Sequence, residues 1–156
     1  MLVDFNNIKE ESKLIIFSSD KAIIQNSFIR DLEAFLKFWK SHGREVVSSF
    51  KIFFKHIVII AIDESEYQVS GCAKDKCYYF FKKCKNSYNL NFFRRDLIYY
   101  LKDNNFVINT IDEFKNISIS DRLNFNMLNI MLKSKKDINL IFEQKYQDSF
   151  WSKIYH

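Results

Sequence analysis

IVIIAIDESEYQVSGCAKDKCYYFFKKC, Ile57 to Cys84, passes from an apolar run through a polar loop into a patterned helix. Ile57–Asp63 is apolar on both of its alternating faces, as a central strand covered by neighbours on each side must be. From Cys72 to Lys85 the residues Ala73, Cys77, Phe80, Phe81 and Cys84 recur at helical spacing and form one apolar stripe. The stripe places Cys77 and Cys84 in the core, where a reduced cysteine behaves as a small hydrophobe. Cys72 lies one position off the stripe, in the first turn. There the unpaired amides and the helix dipole favour an anion, and hence a thiolate.

Working outward, Lys13–Phe17 reads as a short buried strand, and Ser18-Ser19-Asp20 as a helix cap. The spacing of Ile24, Phe28, Leu32, Phe35, Leu36 and Trp39 predicts an amphipathic helix over Lys21–Lys40, stopped at His42-Gly43 with Gly43 as its left-handed cap. Val47–Phe54 pairs with the apolar strand through a short Lys55-His56 connection. Downstream, Asp96–Leu101 and Phe106–Asn109 form a second hairpin around Lys102–Asn105. Thr110 and Glu113 are spaced as a capping box. Helical pieces are expected near Phe125–Leu132, Ser134–Gln144 and Ser149–Tyr155. No linker or repeat divides the chain. The expectation is one α+β domain over residues 1–156, a mainly antiparallel sheet of about five strands with helices packed on it.

Composition narrows the classes. The chain has 156 residues with 17 Phe, 8 Tyr, 2 Gly and no Pro. Ile, Lys, Asn, Phe and Tyr make up half of it, the signature of an AT-rich genome. The net charge of +5 is discounted for the same reason, because 19 of the 24 basic residues are Lys, whereas bidentate phosphate readers favour Arg. The first residues lack a basic stretch followed by a long apolar run, so no secretory signal is expected. No run approaches membrane-spanning length. Three cysteines cannot all pair with one another, and reduced thiols in a cytoplasm are the expected state.

The chemistry converges on the strand-to-helix turn. Asp63, Glu64, Ser70, Gly71, Cys72 and Asp75 are the ligand-binding candidates. Asp63 and Glu64 are paired acids at a strand end, able to hold Mg²⁺ or to act as acid and base, or simply to face solvent. Ser70, Gly71 and Cys72 either turn the chain or offer a reactive thiol, with Asp75 following as a helix-start acid. A nucleophilic Cys72 needs a base, and His42 and His56 are the internal candidates. Zinc is not expected, because C-x4-C-x6-C on one helix does not gather tetrahedral ligands. The opposite helix face carries Lys74, Tyr78, Lys82 and Lys85, a pattern that fits either a nucleic-acid backbone with one stacked base or a solvated face. Arg94-Arg95 and Lys133–Lys136 are its possible extensions. Phe150, Trp151, Ile154 and Tyr155 read as a segment closing its own core, with a homodimer contact as the lesser alternative.

Asp63-Glu64 followed by Ser70-Gly71-Cys72 and Asp75, with Trp39, His42 and Gly43 upstream and Phe92-Phe93 downstream, resembles a family of short bacterial proteins that often carry the label "ABC transporter ATPase". The resemblance covers most of the chain, to about Trp151. Ala73, Lys74, Lys76 and Cys77 depart from the small polar residues of that pattern. The resemblance implies no catalytic residue, and the label fails a physical test. A P-loop needs G-x-x-x-x-G-K-[ST], and the two glycines, at 43 and 71, begin no such motif.

The reading is a small cytoplasmic binding module with an anionic-ligand or partner site at residues 64–75. The alternatives are a Cys72-dependent enzyme and a basic-face nucleic-acid binder. No cofactor motif is present.

Overall fold

The computed structural model describes residues 1–155. The class is α+β with antiparallel sheets, and the strands fall into sheets of three, two and four rather than one of about five. Contacts divide the chain into two compact units. One comprises Met1–Phe93 with Lys133–Lys135, and the other Arg94–Leu132 with the segment from Lys136 onward.

The first unit runs β1 (Lys13–Ser18), α1 (Asn26–Phe38), β2 (Lys40–Ser41), β3 (Arg44–Glu45), β4 (Ser48–Phe53), β5 (Ile57–Ile62) and α2 (Gly71–Tyr88). Its main sheet has the order β1-β5-β4, all antiparallel, with Ile62 opposite Lys13 on one side and Ser48 on the other. All six β5 residues are buried, as its unbroken apolar run requires. Phe28, Leu32 and Leu36 of α1 meet Ala73, Cys77, Phe81 and Cys84 of α2 in one core with Val58, Ile60 and Ile62. Phe17 stacks on Phe81 with ring centroids 3.7 Å apart.

Three expectations are corrected here. The first helix begins at Asn26, not Lys21. Ser19 and Ile23 give their amides to the His56 and Lys55 carbonyls at 2.8 and 2.7 Å, so this stretch is bound sideways to the β4–β5 turn instead of coiling. Ile24 is consequently 76% exposed. Gly43 does not cap the helix. His42 and Gly43, at φ 50° and 76°, form the turn of the small β2–β3 hairpin. The β4–β5 turn is built on Phe54 and Lys55, both at positive φ (53° and 60°), with the Phe53 carbonyl accepting the His56 amide at 3.1 Å. α2 ends at Asn89 in the left-handed conformation, the residue after glycine that best tolerates it.

The second unit runs β6 (Leu97–Lys102), β7 (Asn105–Thr110), α3 (Ile111–Lys115), α4 (Ile119–Arg122), β8 (Asn126–Leu128), α5 (Lys136–Ile141), β9 (Glu143–Lys145), a 3₁₀ turn at Tyr146–Asp148, and α6 (Phe150–Ile154). The sheet order is β7-β6-β8-β9. The capping box holds: Thr110 Oγ1 accepts the Glu113 amide and Glu113 Oε1 accepts that of Thr110, both at 3.1 Å. The expected helix over Phe125–Leu132 is instead β8, because Phe125 and Met127 enter the core with a period of two and Met127 pairs with Tyr100. The expected helix over Ser134–Gln144 shrinks to α5, followed by β9. Arg122 is buried and donates to the Lys115 carbonyl (3.0 Å), the Tyr155 carbonyl (2.9 Å) and Tyr146 Oη (3.2 Å). That arrangement docks the tail segment as expected, with Trp151 against the core, although Phe150 and Ile154 stay exposed.

Candidate functional site

The chain leaves β5 at Ile62 and must satisfy its polar groups while turning. Asp63 Oδ1 accepts the Ser65 amide at 2.9 Å, and Glu64 reaches along the loop so that Oε2 accepts the Val69 amide at 2.6 Å. Tyr67 donates its hydroxyl to the Glu45 carbonyl, and the Arg44 guanidinium lies 4.0 Å from the centre of its ring. The β2–β3 hairpin completes the clamp. Ser41 Oγ accepts the Ser70 amide at 2.9 Å and donates to Ser70 Oγ at 3.1 Å, and Trp39 Nε1 donates to the Ala73 carbonyl at 2.9 Å. Ser70 Oγ in turn accepts the Ala73 amide at 3.1 Å, capping α2.

The acids are neutralised by lysines. Asp63 Oδ2 lies 3.6 Å from Lys9 Nζ, and Glu64 Oε1 lies 3.3 Å from Lys13 Nζ and 3.6 Å from Lys74 Nζ. Glu64 Oε1 is buried and makes ion pairs without a well-directed hydrogen bond. Burial alone pushes both carboxyls up. For Glu64 the Val69 amide with Lys74 and Lys13 outweighs it, and for Asp63 the Ser65 contacts with Lys9 do, so both sit below the ordinary carboxylate range. Lys9, Lys13, Asp63, Glu64 and Ser65 line a cleft of about 450 Å³. The paired acids are therefore held by ammonium groups, and among the described residues no three His, Cys, Asp or Glu side chains gather as metal ligands.

Of the remaining candidates, Gly71, Cys72 and Asp75 are exposed on α2. Asp75 falls just beyond the first helical turn, which holds no acid. Cys77 and Cys84 are core residues, and burial pushes each thiol up to about 12. His42 makes no hydrogen bond to Cys72, and His56 Nδ1 is 2.8 Å from the Phe54 carbonyl in its own turn. On the other face, Lys74 is drawn to Glu64 and leaves the basic row. Tyr78 meets Phe17 edge-on at 5.3 Å, while Lys82 and Lys85 line a cleft of about 350 Å³ with Phe92 and Phe93. Lys9, Lys13 and Ser41 were missed in the sequence. Only Lys13 left a signal, since pairing Lys13–Phe17 with the apolar strand puts it opposite Ile62.

No protein-family model, curated protein or solved structure matches the chain. No helix among the described residues is long and apolar enough to cross a membrane.

Proposed function

We propose that this protein is a binding module that takes an anionic oxygen, from a carboxylate or phosphate of its partner, at the N-terminus of α2. One observation carries the reading. Of the amides at this helix start, Ser70 gives its own to Ser41 and Ala73 gives its own to Ser70, while those of Gly71 and Cys72 have no acceptor among the described residues. Both residues are exposed, and a Cβ added at Gly71 would meet nothing within 4 Å. The surrounding clamp fixes the direction of those two donors, and the dipole of an 18-residue helix adds to their pull on an anion.

Backbone ¹⁵N–¹H spectra during a titration with inorganic phosphate test it. The expected result is saturable shifts concentrated at Gly71 and Cys72. Shifts absent there through millimolar phosphate, or spread evenly over the lysine surface, overturn the reading.

The thiol-enzyme alternative requires a base at Cys72 Sγ, and no hydrogen bond reaches that atom among the described residues. The rate at which iodoacetamide labels Cys72 is expected to be the same in His42→Ala and His56→Ala as in the wild type, and a slower reaction in either variant would favour catalysis. A nucleic-acid reading retains support from the Lys82, Lys85 and Phe93 cleft, where Lys82 Nζ is 6.0 Å from the Phe93 ring centre. It predicts binding to single strands that falls steeply with salt and fails in Phe93→Ala.

A further inference from the structure

The second unit has a cleft of its own. β8 pairs with β6 only through Tyr100↔Met127 and Leu101↔Asn126, so Leu97 at the other end of β6 has no cross-strand partner from β8. The chain after Leu128 turns away, with Asn129 Oδ1 accepting the Met131 amide at 2.9 Å. An opening of about 270 Å³ results, roughly nine water volumes. Its walls include Leu97, Leu128, Met131, Phe150 and Trp151. Met131 and Phe150 at the rim remain 57% and 45% exposed, apolar surface that a hydrocarbon would cover.

The charge at this cleft is one-sided. Arg94 and Arg95 line it, and no carboxylate of the described residues does. Arg94 is held by Asp96 through two bonds of 3.0 and 2.7 Å. Arg95 is exposed and has no acidic partner among the described residues. The Gln144 side-chain amide also lines the cleft and makes no hydrogen bond to the described residues. A mostly apolar hollow with one free guanidinium and one free amide is the arrangement that fixes a small ligand by its head and covers its body. A planar carboxylate matches the guanidinium fork, and flexible methionine and leucine walls suit an unbranched chain.

We propose that this cleft binds a small monocarboxylate with an aliphatic chain, its carboxylate on Arg95 and its chain between Leu128, Met131 and Trp151. The site is separate from the α2 N-terminus and is read from the gain that an aliphatic chain gives over acetate, which the helix start does not supply, so either can fail alone. The experiment is calorimetric titration of the full chain with octanoate, octylamine and acetate, followed in parallel by tryptophan fluorescence. The only other tryptophan, Trp39, is buried beside the start of α2, and acetate carries the same carboxylate without the chain, so a spectral change given by octanoate and not by acetate reports Trp151. Octanoate is expected to bind and to shift the emission, with octylamine and acetate at least tenfold weaker. Arg95→Gln, at an exposed position, is expected to weaken octanoate about tenfold or more, the loss of one charge-assisted contact. Met131→Glu at the exposed rim is expected to abolish binding by repulsion. Equal binding of octanoate and octylamine, full affinity in Arg95→Gln, or no binding at millimolar octanoate overturns the proposal.

Discussion

β5 and β6 are both nearly all-apolar strands flanked on two sides, yet the molecule treats their surroundings in opposite ways. β5 is paired along its whole length by β1 and β4, and the chain leaving it enters a turn whose acids and side-chain oxygens mostly have protein partners. β6 is paired along its whole length by β7 but over two residues by β8, and an apolar hollow opens where the second partner departs. The lesson concerns what a strand end leaves undone. Around β5 the unused groups are two amides at a helix start. Around β6 they are hydrocarbon surface, one guanidinium and one side-chain amide.

The sharpest way to break the comparison is to truncate an apolar side chain in each place. Ile60→Ala removes a fully buried side chain from the core shared by both long helices, and is expected to cost about 3–4 kcal/mol by urea denaturation. Met131→Ala, at the rim of the open cleft, is expected to change stability by less than about 0.5 kcal/mol. Similar losses at the two positions would show that the cleft is closed by packing in solution.

A smaller effect is expected at the turn. Glu64→Ala strips the Val69 amide of its acceptor and two lysines of their counter-ion, for about 2 kcal/mol at neutral pH. The folded-state carboxyl is held below its ordinary value, so its contribution is fully present above the unfolded value of about 4.3 and fades as pH falls through the lower folded one. The stability gap between wild type and variant is therefore expected to narrow below about pH 4. A gap that stays constant into acid would mean that the carboxylate's charge contributes nothing and the loss is one of packing.

How much of this was legible follows from which interactions are local. The α2 stripe, the capping box and the β5 run are periodicities or short spacings, and the sequence carried them intact. So was the change from extended chain to helix at Ser70. The β2–β3 hairpin was hidden because Trp39 continues the helical spacing of Leu32, Phe35 and Leu36, while its actual role depends on the Ala73 carbonyl 34 residues away. Asp63 and Glu64 looked like ligands because their lysine partners, at 9, 13 and 74, arrive from other segments. β8 reads as helix in the sequence because a three-residue strand gives too few alternations to outweigh the apolar content of Phe125–Leu132.

The smallest effects separate conformational need from open space at three backbone positions. Gly43 sits at φ 76°, so Gly43→Ala is expected to cost about 1 kcal/mol although no atom lies within 4 Å of the added Cβ. Lys55 has the reverse problem, an L side chain at φ 60° in a chain with few glycines, and Lys55→Gly is expected to gain up to about 1 kcal/mol. Gly71 has neither a positive φ nor a neighbour, so Gly71→Ala is expected to be neutral or to stabilise by up to about 0.5 kcal/mol, since alanine is the better helix residue. Thermal denaturation of the three variants under one buffer orders them. If Gly71→Ala proves as costly as Gly43→Ala, the approach to the α2 amides is occupied by the protein itself, and no anion reaches them from outside.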